Sequence, residues 1–119
     1  MKIEFSTDKI KLQCTSVKAA NKLFGGDQTL IRSLMARINA LRSAENLRDI
    51  IVQKAFRFHS LKGNLVGYFV IDVKTIKEPW RIILRPLNED NQPYIPCNID
   101  EISNIVEIVE IKEVSKHYD

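Results

Sequence analysis

Cysteine is scarce in this 119-residue chain: only Cys14 and Cys97 occur. They lie too far apart in sequence for a metal knuckle, and a single pair makes a poor disulfide framework. Both are read as reduced thiols of a cytosolic protein, Cys14 packed on a helix, and no structural zinc is expected. Long apolar runs are also missing. None approaches the roughly 20 residues that span a bilayer, so no membrane association is expected. Met1-Lys2-Ile3-Glu4-Phe5 carries no signal-peptide core, which makes the expected location cytoplasmic. Paired carboxylates at metal spacing, a Ser-His-Asp arrangement and a phosphate-cradling glycine loop are absent too, so the chemistry is expected to use no metal and no cofactor.

What remains is an ordinary globular composition, 45% hydrophobic and 28% charged, of a length that suits one domain over residues 1–119. The net charge of +3 is uneven: residues 54–85 carry seven Lys/Arg against Asp72 and Glu78, whereas residues 86–119 carry eight acids against Lys112 and Lys116. A basic middle of this density points to a polyanion partner. Solvated surface charge is the plain alternative.

The apolar pattern sets the expected layout. Residues 2–6 read as a strand with Ile3 and Phe5 on one face. Ser6 or Thr7 offers an N-cap, and Ile10, Cys14, Val17, Ala20 and Phe24 recur at helical spacing over residues 8–24. Gly25-Gly26 stops that helix, and Asp27 caps a second with Leu30, Ile31, Leu34, Met35, Ile38 and Leu41 as its stripe. A tight Gly-Gly-Asp turn predicts an antiparallel helical hairpin. A helical turn is expected around Asn46–Val52. The period then becomes two, with strands expected at 57–61, 65–73, 80–86 and 105–114 and a long Pro- and Asn-rich loop at 87–101. The predicted fold class is α+β, a helical hairpin packed on a curved antiparallel sheet.

Strand alternation places Arg57, His59 and Leu61 on one face of the first meander strand, and Arg81, Ile83 and Arg85 on one face of the third. Neighbouring strands lie about 4.8 Å apart, so these groups and Lys62 converge if the register allows, which sequence does not fix. Guanidinium groups bind phosphate bidentately, histidine moves protons near neutral pH, and Tyr68 or Tyr118 offers a ring for a base. Tyr94 in the loop reads as a residue that pins it. A lone strand histidine is more often a surface or hydrogen-bonded group than a catalyst, and Trp80 and the phenylalanines read first as core.

Arg57-Phe58-His59-Ser60-Leu61-Lys62-Gly63, followed by Gly67-Tyr68, resembles the HigB-type killer-protein motif Arg-x-His-x-Leu-x-Gly with a following Gly-x-aromatic. Trp80-Arg81-Ile82-Ile83-Leu84 is similar to that family's Trp-Arg-Ile-x-Phe strand. Ala44-Glu45-Asn46-Leu47-Arg48-Asp49, the apolar run Val106–Ile111 and the ending His117-Tyr118 fit the same order. The resemblance implies the RelE/ParE fold and cleavage of mRNA, usually on the ribosome. It also implies a hetero-oligomer with a HigA-like helix-turn-helix antitoxin. Its motif positions point His59, Arg81, His117 and Tyr118 to catalysis and Arg57 to RNA binding, and the basic patch read above adds Lys62, Arg85 and Tyr68 to the RNA-binding set. The reaction needs no metal: a base takes the ribose 2′-OH proton, and arginines stabilise the phosphate charge. The loop at 87–101 is longer than in compact members, and the ending runs His-Tyr-Asp, which leaves open which side chain enters the site.

Three other readings stand beside this one. The first is a non-enzymatic ParE-type toxin that binds DNA gyrase. The second is an RNA-binding module without cleavage. The third is an interaction domain whose basic strands are incidental. Proton-transfer histidines favour the nuclease, since a binding module has no use for them.

Overall fold

The structure, a computed structural model, describes residues 1–117; Tyr118 and Asp119 lie outside the described residues. The N-terminal helical region starts as the sequence dictates. The Thr7 hydroxyl accepts from the Ile10 amide at 3.1 Å and opens α1, Asp8–Thr15. The helix expected over 8–24 then breaks. Ser16 is extended (φ −119°, ψ 122°), and its hydroxyl accepts from the Ala19 amide to start α2, Val17–Leu23. The break turns Val17, expected in the buried stripe, out to 61% exposure, while Cys14, Ala20 and Phe24 stay buried. Gly25 and Gly26 take positive φ, which glycine does without a Cβ clash. The Asp27 carboxylate accepts from the Thr29 and Leu30 amides at 3.0 and 3.2 Å and caps α3, Gln28–Ser43. All of its expected stripe is buried except Met35, which is partly so. The short α4, Arg48–Ile51, buries Ile50.

The strands are β1 (Lys2–Phe5), β2 (His59–Ser60), β3 (Phe69–Asp72), β4 (Arg81–Leu87) and β5 (Ile108–Ser115), ordered β1-β5-β4-β3-β2 in one sheet. The expected antiparallel sheet is a mixed one. β5, β4, β3 and β2 pair antiparallel, but β1 lies parallel to β5. The first strand thus docks beside the last, and the intervening chain serves as the long crossover that a parallel pair requires.

Two strands are shorter than the period-two pattern predicts. Lys54–Phe56 form a 3-10 turn that ends on Arg57 in the left-handed region (φ 53°, ψ 46°), so Arg57 precedes β2 instead of opening it. Gly63–Leu65 form another such turn, which delays β3. The 87–101 segment contains α5, Ile99–Ile102, so it is not wholly loop.

The sheet separates two environments. One face carries Ile71, Val73, Ile82, Leu84, Val109, Ile111 and Val114 into a single apolar cluster with Leu30, Leu34, Ile38 and Leu41 of α3. The other carries His59, Val70, Ile83 and Glu113 in one row across four strands, and Asp72, Arg81 and Ser115 in the next. Register shifts once: Ile83 faces Glu113, yet Leu84 faces Ile111, so Lys112 is an extra residue bulged out of β5.

Candidate nucleic-acid interface

The polar face is organised around Asp72, which is 1% exposed. Asp72 lies opposite Arg81 in the β3–β4 register. Its carboxylate meets Arg81 Nε at 3.2 Å and accepts from Arg57, from Nε at 3.0 Å and from Nη2 at 3.1 Å. Arg81, expected on an open face, is itself only 3% exposed. Its guanidinium donates to the carbonyls of Ile76 (3.1 Å), Trp80 (3.0 Å), Glu78 and Thr75, and so closes the β3–β4 connection from inside. The facing carboxylate is what buries it: the acid draws the guanidinium in, and turn carbonyls satisfy its remaining donors. Trp80, expected to be buried, is half-buried, edge-on to Phe24 at 5.0 Å.

A third arginine reaches the same corner from α3. Arg37 lies over the Phe56 ring at 4.2 Å and donates to the carbonyls of Asp72 (2.9 Å), Lys74 (3.1 Å) and Ala55 (3.4 Å). Burial pulls its guanidinium below the ordinary value, and the Asp72 charge acts in the opposite sense. The 54–57 turn is therefore held from both sides, and its geometry fixes His59. Nδ1 of His59 lies 2.6 Å from the Arg57 carbonyl oxygen, a contact that requires Nδ1 to carry the proton and donate. In the neutral ring, Nε2 then holds the lone pair, on a half-exposed side chain.

Further along the same face, Tyr68 stands against two cations. The Arg85 guanidinium lies 5.0 Å from its ring centroid and the Lys112 ammonium 5.9 Å. Arg85 Nε donates to Glu110 at 2.8 Å, from opposite in the β4–β5 register. Lys62 is exposed beside β2. His117 is exposed just past β5, with its amide donating to Ser115 Oγ at 3.1 Å. Tyr118, expected in catalysis, lies outside the described residues.

Of the expected basic patch, His59, Arg85 and Tyr68 share one face, while Arg57 and Arg81 converge on Asp72 instead of on solvent. Sequence reasoning missed Asp72, Arg37, Glu110 and Lys112. Asp72 carried a readable signal, an acid inside the apolar run Phe69-Val70-Ile71-Asp72-Val73. Lys112 carried a weaker one, a lone base in the last strand. Among the described residues, no three His, Cys, Asp or Glu side chains gather as a metal site, and no helix is long and apolar enough to cross a membrane.

Fold and site together define a class: a small α+β domain whose sheet is covered by helices on one side and carries a polar, arginine- and histidine-bearing surface on the other. Among solved structures the chain is similar to a YoeB/ParE toxin from Agrobacterium tumefaciens, with TM-score 0.51 and 17% identity, covering 99% of this chain and 100% of that one. At that identity the likeness is one of fold. No family model and no curated protein matches the sequence.

Proposed function

We propose that this chain is the HigB-like toxin of a type II toxin–antitoxin pair. On this reading it is a cytoplasmic endoribonuclease that cuts mRNA on the ribosome without a metal, and a HigA-like helix-turn-helix antitoxin neutralises it. The observation that carries the reading is His59: a half-exposed imidazole on the polar face of a toxin-like fold, its Nδ1 committed to the Arg57 carbonyl and its Nε2 left as a base. In the proposed reaction Nε2 takes the proton of a ribose 2′-OH. The 2′-oxygen attacks the adjacent phosphorus, and the bond to the 5′-oxygen breaks. The leaving oxygen takes a proton from His117 or Tyr118, giving a 2′,3′-cyclic phosphate and a 5′-hydroxyl. Arg57, whose side chain is 32% exposed, has an edge from which to meet the phosphate. Lys62, Arg85 and Tyr68 hold the flanking strand, joined by Lys112. Arg81, buried among carbonyls, acts in this scheme as a positioning residue through Asp72 and not on the phosphate.

One observation favours a second reading, the ParE-type toxin that binds gyrase without chemistry. Asp72 engages both Arg57 and Arg81, so two guanidinium groups expected at a phosphate are already partnered. Expression without an antitoxin, followed by mapping of mRNA ends on translating ribosomes, separates the two. The nuclease reading expects growth arrest with new mRNA ends, and His59→Ala lowering cleavage about 10²-fold or more while the protein stays folded. Arrest without new ends moves the assignment to gyrase. Normal growth with soluble protein present refutes both.

A further inference from the structure

The 87–101 segment, unexplained by the reaction, builds one wall of a cavity of about 150 Å³ beside Tyr68. Tyr68, Arg85 and Pro86 line it from the sheet, and Pro93, Tyr94 and Cys97 face them from the loop. The loop is held in shape by its own bonds. The Asn88 side-chain oxygen accepts from the Asp90 and Gln92 amides at 2.9 and 3.1 Å, and its amide donates to the Gln92 carbonyl at 2.8 Å. Leu87 then bridges to Pro93 across the turn.

We propose that this cavity receives a single nucleobase of the bound RNA strand, stacked against Tyr68, and that loop 87–101 is the element that selects it. The inference rests on the RNA reading above. Its physical basis is the join between two surfaces. Tyr68 shows its ring to Arg85 and Lys112, charges suited to a phosphate, and it also lines the cavity. A strand whose phosphate sits at those cations brings its neighbouring base to the cavity mouth. The walls are mostly apolar, as a π-face prefers. Arg85 carries charge at the sheet side, but the polar groups that the loop contributes are neutral: burial pushes both the Tyr94 hydroxyl and the Cys97 thiol up from their ordinary values, so both keep their protons. On the loop wall, neutral donors and acceptors suit the edge of a base, while Arg85 at the sheet side faces the phosphate that flanks it.

Cys97 supplies the test. Cys14 is buried with its thiol pushed up to about 12, so Cys97 is the thiol that alkylates in the folded protein. The full chain is titrated with a fluorescent 2′-O-methyl hexanucleotide, which lacks the attacking hydroxyl, and with an abasic analogue of the same length. Binding is read by anisotropy and Cys97 alkylation by iodoacetamide with mass detection. We expect the hexanucleotide at saturation to slow alkylation roughly fivefold or more, the scale set by stacking one base, and the saturating abasic strand to leave it nearly unchanged. Tyr68→Ala should weaken the hexanucleotide by a similar factor and the abasic strand much less. Binding of both strands with equal protection, or with none, overturns the pocket while leaving the RNA reading intact. Failure of both to bind at low salt overturns the pocket, and the mapping of mRNA ends on ribosomes then decides the RNA reading separately.

Discussion

The two faces of the sheet solve the same problem with different chemistry. The helix-facing side excludes water with interchangeable apolar groups such as Leu34, Ile82 and Ile111, all buried and none dependent on one partner. The opposite side buries charge. Asp72 and Arg81 are nearly as hidden as the core leucines: the carboxylate is tolerable because Arg57 and Arg81 face it, and the Arg81 guanidinium because Asp72 and the turn carbonyls do. Apolar packing degrades gradually when cut, whereas a buried ion network fails when one member goes.

The largest expected effect breaks that contrast directly. Asp72→Ala leaves Arg81 buried without its counter-charge and should cost about 3–5 kcal/mol in urea unfolding. Leu34→Ala across the sheet should cost about 2–5 kcal/mol, by transfer and cavity terms. The two separate on function: Leu34→Ala, as far as it stays folded, should keep RNA affinity, whereas Asp72→Ala should release the 54–57 turn and lower it. If Asp72→Ala unfolds within about 1 kcal/mol of the parent, the network does not hold the corner.

A smaller effect sharpens the contrast within the polar face. The Arg85–Glu110 pair is partly exposed, its side chains 28% and 20% accessible, so Arg85→Ala should cost at most about 1 kcal/mol of stability. The same change should weaken RNA binding and reduce its slope against log salt by about one, the signature of a lost phosphate contact. An unchanged slope would remove Arg85 from the interface.

How much of this was legible depended on whether a signal is local. Asp27, Gly25 and Gly26 act on their immediate neighbours, and α3 begins where the sequence places it. β4 was readable within a residue because its apolar run Ile82-Ile83-Leu84 is bracketed by Arg81 and Arg85 on one face. The break at Ser16 was hidden by an apolar stripe that continues through it, although Thr15-Ser16 are both cap formers. Arg57 alternates correctly with His59 on paper, but its left-handed backbone is set by distant Asp72 and Arg37. The burial of Arg81 was invisible because it depends on which acid faces it across β3, and pairing register is not written in either strand alone. The parallel docking of β1 on β5 is likewise a property of the whole chain.

The smallest effect lies on the helical side. Hydrogen bonds from the Thr29 hydroxyl and the Leu30 amide hold the Asp27 carboxyl below the usual carboxylate range. A depressed folded-state value means that its contribution is present above the unfolded value and lost as pH falls through the folded one. Asp27→Ala should therefore give a slight loss of thermal stability at neutral pH that disappears in acid, while Asp27→Asn should keep the cap and flatten the pH dependence. A loss that persists unchanged in acid would assign the effect to something other than the carboxylate.

The bulge at Lys112 gives β5 two phases. Before it, odd residues Val109 and Ile111 point to the helices; after it, the even residue Val114 does. Parity changes once, inside the strand, and so Glu110 and Glu113, three residues apart, can both stand on the charged side. Removing Lys112 would restore a single parity. Glu113 would then follow Ile111 directly and stay outward, and Val114 would stay inward beside Ile82, so that this one position of the strand could be lost without turning either end over, whereas losing a residue on either side of it would reverse the sidedness of that end.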